Sequence, residues 1–121
     1  MPATSRKPAP KRVDRHRRRH ARYRCDFQVT VTHLSGGRYE KFEGHGRDLS
    51  EAGIGILLAA DLSSGEVAGL SFLLPGSPGP WELRAVVRYR SGYQYGFEFL
   101  SLPAEQRELL KQFLQSQKPI D

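Results

Sequence analysis

The sequence has one cysteine, Cys25, so no disulfide can form within the chain, and a reducing compartment suits it. No apolar run approaches the roughly 20 residues that span a bilayer. The basic N-terminus is not followed by an apolar stretch, so we expect no secretory signal. With 121 residues, enough for one modest core, the chain is predicted to be a single-domain cytoplasmic protein without membrane insertion.

Residue combinations that support catalysis are also lacking. We find no Ser/His/Asp set, no paired carboxylates at a useful spacing and no glycine loop of the kind that cradles phosphate. His16, His20 and Cys25 match no standard zinc pattern, and no fourth ligand is evident. We therefore expect neither an enzyme nor a metal site.

Positive charge is concentrated at one end of the chain. Residues 1–24 hold ten of the nineteen Lys and Arg residues and one acidic residue, Asp14, a net +9. The remainder holds nine basic and twelve acidic residues, a net −3. Residues 1–16 have almost no large apolar side chain, which predicts a flexible, disordered basic arm. Such a basic arm on a mildly acidic body indicates an anionic partner.

Alternation of apolar and polar residues predicts six short strands separated by turns rich in glycine and proline. They cover residues 27–32, 39–48, 54–58, 66–74, 81–90 and 93–99. Pro103 opens a predicted helix whose apolar stripe is Leu109, Leu110, Phe113 and Leu114. The predicted fold is mostly β: a six-stranded antiparallel β-barrel with a C-terminal α-helix, preceded by the flexible arm.

Aromatic residues are concentrated in the last two strands. In the fifth strand the alternation places one set on the core face: Trp81, Leu83, Ala85, Val87 and Tyr89. In the sixth strand the set that shares one face is Tyr93, Tyr95, Phe97 and Phe99. Aromatic residues at alternate strand positions more often form a core than a stacking platform for bases, so we expect both sets to be core.

A polar turn, Arg47 to Gly53, leads into the third strand. Asp48 and Ser50, two residues apart, are expected to project from the same face. Gly53 follows where the chain must bend or let another molecule approach its backbone. A carboxylate, a hydroxyl and an unhindered backbone suit a ligand with N–H edges. The alternative is a simple turn in which Asp and Ser bond their own backbone.

Two spacings together identify a family. An RxxxR pattern falls on Arg18 and Arg22 before the first strand, although Arg15 and Arg19 have the same spacing. A (D/N)xSxxG pattern falls on Asp48, Ser50 and Gly53. With the late segment Tyr95-Gly96-Phe97-Glu98-Phe99 and the closing helix, the sequence resembles the bacterial PilZ domain. We assign this domain to residues 17–116 and a C-terminal tail to residues 117–121.

The resemblance implies a receptor for cyclic di-GMP, with no cofactor and no catalysis. The ligand-binding residues it implies are Arg17, Arg18, Arg22, Asp48, Ser50 and Gly53. Arginine forks suit the O6 and N7 acceptors of guanine and its phosphates, and a carboxylate suits the N1–H and N2–H₂ donors. The resemblance also associates a basic residue at position 17 with an intercalated ligand pair, so we expect one or two ligands per chain, with Arg17 favouring two.

The expected mechanism is ordering of the arm over the ligand, which changes the surface presented to an unidentified protein effector. We expect a monomer or a weak homodimer. The main alternative is a small β-barrel whose arm binds nucleic acid nonspecifically. A third possibility is a degenerate member of the family that binds only protein, and the intact motif residues count against it.

Overall fold

The computed structural model describes residues 21–117, which form six strands and one helix. The elements are β1 (Tyr23–Ser35), β2 (Arg38–Leu49), β3 (Gly53–Leu57), β4 (Val67–Phe72), β5 (Trp81–Ser91), β6 (Gln94–Phe99) and α1 (Ala104–Gln115). The predicted arm, Arg17, Arg18 and residues 118–121 lie outside the described residues. Within residues 21–117, no helix has the length and apolarity that crossing a membrane requires.

The strands close into a barrel in the order β1-β2-β3-β6-β5-β4, because β4 pairs with β1. Every neighbouring pair is antiparallel. The predicted fold, a six-stranded antiparallel barrel with a C-terminal helix, is therefore confirmed. Its closure leaves two surfaces, an inner one filled with apolar side chains and an outer one on which a ligand can be bound.

One apolar core fills the barrel and continues to the helix. Alternate residues of each strand contribute to it, as Ile54 and Ile56 do in β3, and Leu110 and Leu114 join it from α1. Each large apolar side chain buried in this way contributes roughly 1.5–3 kcal/mol of transfer free energy. The predicted helical stripe is wrong at Leu109, which is exposed because it lies about 100° around the helix from Leu110.

Three register shifts interrupt the regular pairing of the described strands. They fall between Arg24 and Phe27 in β1, at Arg47 in β2 and at Arg88 in β5. An extra residue in one strand of a pair is a β-bulge, which re-aims the side chains that follow it. All three bulges lie toward the same part of the barrel wall, beside the turn that joins β2 to β3.

Trp81, Leu83, Ala85 and Val87 of the fifth strand are buried as predicted, but the bulge at Arg88 overturns the predicted face of Tyr89. Val87 pairs with Phe97 and is buried, whereas Tyr89 pairs with Gly96 and is 49% exposed. Because Arg88 is the extra residue, the alternation reverses and Tyr89 faces outward rather than into the core. The predicted face of the sixth strand is also wrong at Tyr93, which precedes β6 and is 65% exposed. Tyr95, Phe97 and Phe99 are buried as predicted.

We predict that Tyr95→Phe will destabilise the barrel by about 1–3 kcal/mol. The buried Tyr95 hydroxyl donates to the carbonyl of Ala60 at 2.5 Å and accepts from the N–H of Leu62 at 3.0 Å. Phenylalanine would leave both backbone groups without this partner. Urea unfolding measures the change, with the exposed Tyr93→Phe as the matched control. Equal unfolding midpoints for the two variants would contradict the assignment.

Candidate functional site

The turn between β2 and β3 is built by Ser50. Its backbone N–H donates to the carbonyl of Gly53 at 2.9 Å. Its hydroxyl oxygen accepts from the N–H groups of Ala52 at 3.1 Å and Gly53 at 3.2 Å. Ser50 is buried, and its hydroxyl proton takes no part in either side-chain bond. The residue therefore holds the turn and, as far as residues 21–117 are concerned, retains one donor.

Gly53 is a glycine because β3 and β6 approach closely there. A Cβ at this position would stand 2.1 Å from the carbonyl oxygen of Phe97. No side chain fits at that distance without moving the backbone. This close approach fixes the start of β3 against β6, where Gly53 pairs with Glu98. The structure thus gives Gly53 a role in packing, separate from any contact with a ligand.

Asp48 lies on the outer face of β2, between the turn and the bulge at Arg47. Its carboxylate folds over Gly55 of β3, where a Cβ would meet Asp48 Oδ2 at 2.5 Å. The same oxygen accepts a hydrogen bond from Arg22 Nη2 at 3.3 Å. The side chains of Arg22 and Asp48 are 34% and 21% exposed. The pair therefore lies at the surface, where a ligand can reach both groups.

Arg22 has a buried donor without an acceptor in the described part of the chain. Its Nε is shielded from solvent, and no acceptor for it lies among residues 21–117. A buried donor without a partner costs on the order of 1–3 kcal/mol, and most buried polar groups in proteins have a partner. A ligand acceptor at this position would satisfy the group. Within residues 21–117, Arg22 thus combines the Asp48 partner with one unused donor.

Four of the six residues predicted to bind the ligand lie together. Arg22, Asp48, Ser50 and Gly53 line one groove of about 200 Å³ on the outer wall of the barrel. A second groove of about 220 Å³ shares Arg22 and Asp48 with it and extends along Arg47. Arg17 and Arg18 lie outside the described residues. The site has arginine donors, a carboxylate acceptor and a hydroxyl on one open surface.

The sequence of residues 16–116 matches the family model of the PilZ domain. The chain belongs to the PilZ domain family. No curated protein matches the sequence closely enough to count as a relative.

Several solved structures have a similar fold, among them the following three. The PilZ domain of YcgR from Escherichia coli, solved with c-di-GMP, gives a TM-score of 0.66 at 20% identity, over 84% of this chain and 91% of that chain. The PilZ domain of CeSA from a cellulose-synthesizing bacterium gives a TM-score of 0.59 at 19% identity, over 78% of this chain and 94% of that chain. The Bacillus subtilis inhibitor of motility, MotI/DgrA, gives a TM-score of 0.63 at 22% identity over 81% of this chain. This PilZ chain spans half the length of that last structure.

Sequence reasoning missed Tyr89 in the wall of the site that β5 and β6 form. Tyr89 lines both grooves, and its ring lies across Gly96. Beside it, Arg88 Nε donates to Glu98 Oε1 at 2.5 Å across the two strands. Period-two alternation assigned Tyr89 to the core, because nothing in that pattern marks the bulge at Arg88. The glycine at position 96 is the signal that could have revealed an open outer surface.

Cys25 lies in the β1 bulge next to the site and packs against the core. Burial raises the pKa of its thiol to about 12, and the charge of Asp48 adds to the effect. The reactive thiolate is therefore scarce at neutral pH. Among the described residues, no cluster of three or more His, Cys, Asp or Glu side chains could hold a metal ion.

We predict that Cys25 in the folded protein reacts with a disulfide reagent at pH 8 roughly 100-fold or more slowly than in urea, since an ordinary thiol has a pKa near 8.5. Above about pH 9 the unfolded chain loses this proton while the folded chain keeps it until about pH 12, so this group lowers stability as pH rises through that window. Similar reaction rates in the folded and unfolded protein would contradict the raised pKa.

Proposed function

We propose that this PilZ domain is a receptor for cyclic di-GMP and that Arg22 and Asp48 recognise the ligand on the outer wall of the barrel. The observation that carries the proposal is the buried Arg22 Nε, which has no acceptor among the described residues and stands beside a surface carboxylate. The family match supports it, as does the similar fold of the YcgR PilZ domain, which was solved with this ligand.

The chemistry of the ligand suits these groups. Cyclic di-GMP has two guanines and two phosphodiester charges. The planar fork of Arg22 suits the paired O6 and N7 acceptors of guanine or two phosphate oxygens, and lysine would retain the charge without the fork. Asp48 is an acceptor for the N1–H and N2–H₂ donors of guanine. The hydroxyl proton of Ser50 can be donated to a base edge or a phosphate.

The described grooves are only part of the proposed site. Each holds about 200 Å³, below the roughly 300–1,000 Å³ of pockets that enclose a small ligand. In this proposal Arg17 and Arg18 supply the remaining contacts as the arm closes over the ligand. Arg17 favours a second, intercalated ligand molecule.

Residues 21–23, which follow the basic arm, connect the proposed ligand site to the surface beside α1. Ala21 and Tyr23 flank Arg22 in sequence, and both line a groove of about 190 Å³ against α1, with Lys111 and Leu114. A ligand that orders Arg22 and the residues before it would therefore also change the chain beside the helix. We propose that a protein effector recognises this altered surface and that the domain acts as an adaptor without catalysis.

A second candidate function is nonspecific binding of nucleic acid, which the net +9 of residues 1–24 favours. Nucleic-acid binding would spread affinity over many arginines and decrease steeply as salt rises. Cyclic di-GMP binding would depend on particular residues of the groove. The two functions therefore differ in which single substitution weakens binding.

We predict that Arg22→Ala weakens the binding of cyclic di-GMP by about 5-fold to 150-fold, the cost of one bidentate arginine contact to guanine. Arg22→Lys is expected to bind nearly as poorly, because it lacks the fork. Asp48→Ala should also lose affinity. Isothermal titration at physiological salt measures each change and gives the number of ligands per chain.

Arg38→Ala, on the exposed part of β2 away from the groove, is the matched control and should bind like the wild type. GTP serves as the competitor control. The absence of binding heat in the wild type would overturn the proposed function. Equal, salt-sensitive losses for Arg22→Ala and Arg12→Ala with single-stranded DNA would instead support the nucleic-acid function.

A further inference from the structure

Four residues form a row across the outer wall of the barrel. Asp48 pairs with Gly55, Gly55 with Gly96, and Gly96 with Tyr89, on strands β2, β3, β6 and β5. Register partners lie about 5 Å apart from strand to strand. The two middle positions have no side chains. The row is therefore a shallow trough with a backbone floor, bounded by a carboxylate on one side and an aromatic ring on the other.

Both bounding side chains fold inward over the floor. Asp48 lies over Gly55, and the ring of Tyr89 lies across Gly96, where a Cβ would stand 2.3 Å from Cε2 and 2.5 Å from Cδ2. Tyr89 is 49% exposed and lines both grooves, so the remainder of its ring is open to the space that Arg22 and Asp48 also border. Any alanine at position 55 or 96 would displace one of these side chains.

Planar bases suit such a trough. A base has an aromatic face and a polar edge, and proteins bind single bases by stacking the face on an aromatic side chain and bonding the edge to a polar group. Here the ring and the carboxylate converge from opposite sides on the same glycine floor. The trough thus offers a stacking surface together with an acceptor for the N1–H and N2–H₂ edge of guanine.

We infer that Tyr89 is a ligand-binding residue on which one guanine of cyclic di-GMP stacks while its edge is held by Asp48. This inference rests on the proposed function and adds a residue outside the two sequence motifs. The bulge at Arg88 is the feature that brings the ring outward into the trough. Arg88 itself forms an exposed ion pair with Glu98 beside the ring.

A purely structural role for the ring is the competing explanation. An aromatic side chain over a cross-strand glycine also covers exposed backbone and stabilises a sheet. That role would make Tyr89→Leu less stable without weakening its affinity for the ligand. Stacking would make the same variant bind less tightly even where it is fully folded.

The test is isothermal titration of cyclic di-GMP into the wild type, Tyr89→Leu and Tyr89→Phe, with urea unfolding of each variant. We expect Tyr89→Leu to bind about 5-fold to 150-fold more weakly, the usual loss when one aromatic base-stacking side chain is removed. Tyr89→Phe keeps the ring and should bind within about 3-fold of the wild type. Tyr39→Leu, an exposed tyrosine near the far end of β2, is the matched control and should bind unchanged.

A fluorescence measurement on Tyr89→Trp gives an independent readout. The natural Trp81 is buried and lines neither groove, so it provides a constant background. Stacking predicts quenching of the new tryptophan at the same ligand concentrations that produce heat, and no quenching in the wild type.

The outcomes separate the two claims. Wild-type binding with equal affinity in Tyr89→Leu, or an unquenched Tyr89→Trp at saturation, overturns the stacking role and leaves the receptor proposal standing. The absence of heat in the wild type overturns both. Loss of affinity in Tyr89→Leu with recovery in Tyr89→Phe supports the stacking role.

Discussion

The tight turn from Ser50 to Gly53 is the constraint on which this site depends. Ser50 closes the turn with its backbone and its hydroxyl oxygen, and Gly53 lets β3 start directly against the carbonyl of Phe97. A larger residue at position 53 would push β3 away from β6, and the trough floor made by these two strands would open. Two residues of the DxSxxG motif are therefore explained by folding alone. Asp48 is the exception, because its carboxylate closes no turn and instead faces Arg22 across the surface.

If Arg22 and Asp48 recognise cyclic di-GMP as proposed, their ion pair would prepare the site at little energetic cost to the ligand. Partly exposed pairs of this kind contribute roughly 0–1 kcal/mol, so a ligand that separates the two groups or inserts between them loses little. The pair nevertheless holds the guanidinium at the groove, which lowers the entropy lost when the ligand binds. The buried Nε would act in the same direction, because it has no acceptor among residues 21–117 and an acceptor on the proposed ligand would satisfy it.

Sequence patterns were sufficient for the architecture and for part of the site. The alternation of apolar and polar residues predicted the positions of all six strands, because most strand residues follow the pleat. Pro103 correctly predicted the start of the helix. The two motifs identified Arg22 and Asp48 as candidate site residues. They are 26 positions apart in the sequence and lie in one groove of the structure. Tyr89 could not be found in this way. A bulge depends on pairing with a partner strand, which a period-two pattern within one strand does not encode, and so the reversed orientation after Arg88 is a property of the sheet.

Gly55 of β3 and Gly96 of β6 affect both the stability of the barrel and the shape of its outer surface. Glycine within a strand costs roughly 0.5–1 kcal/mol relative to alanine, and here two of them are direct partners in the middle of the sheet. On Gly96 the Tyr89 ring covers the backbone and offsets part of that cost, as an aromatic residue over a cross-strand glycine does. On Gly55 the neighbour is a carboxylate, which covers backbone poorly and gains little from packing there. A side chain at position 55 would displace this carboxylate, so the glycine there is explained by the position of Asp48 over β3, beside Arg22.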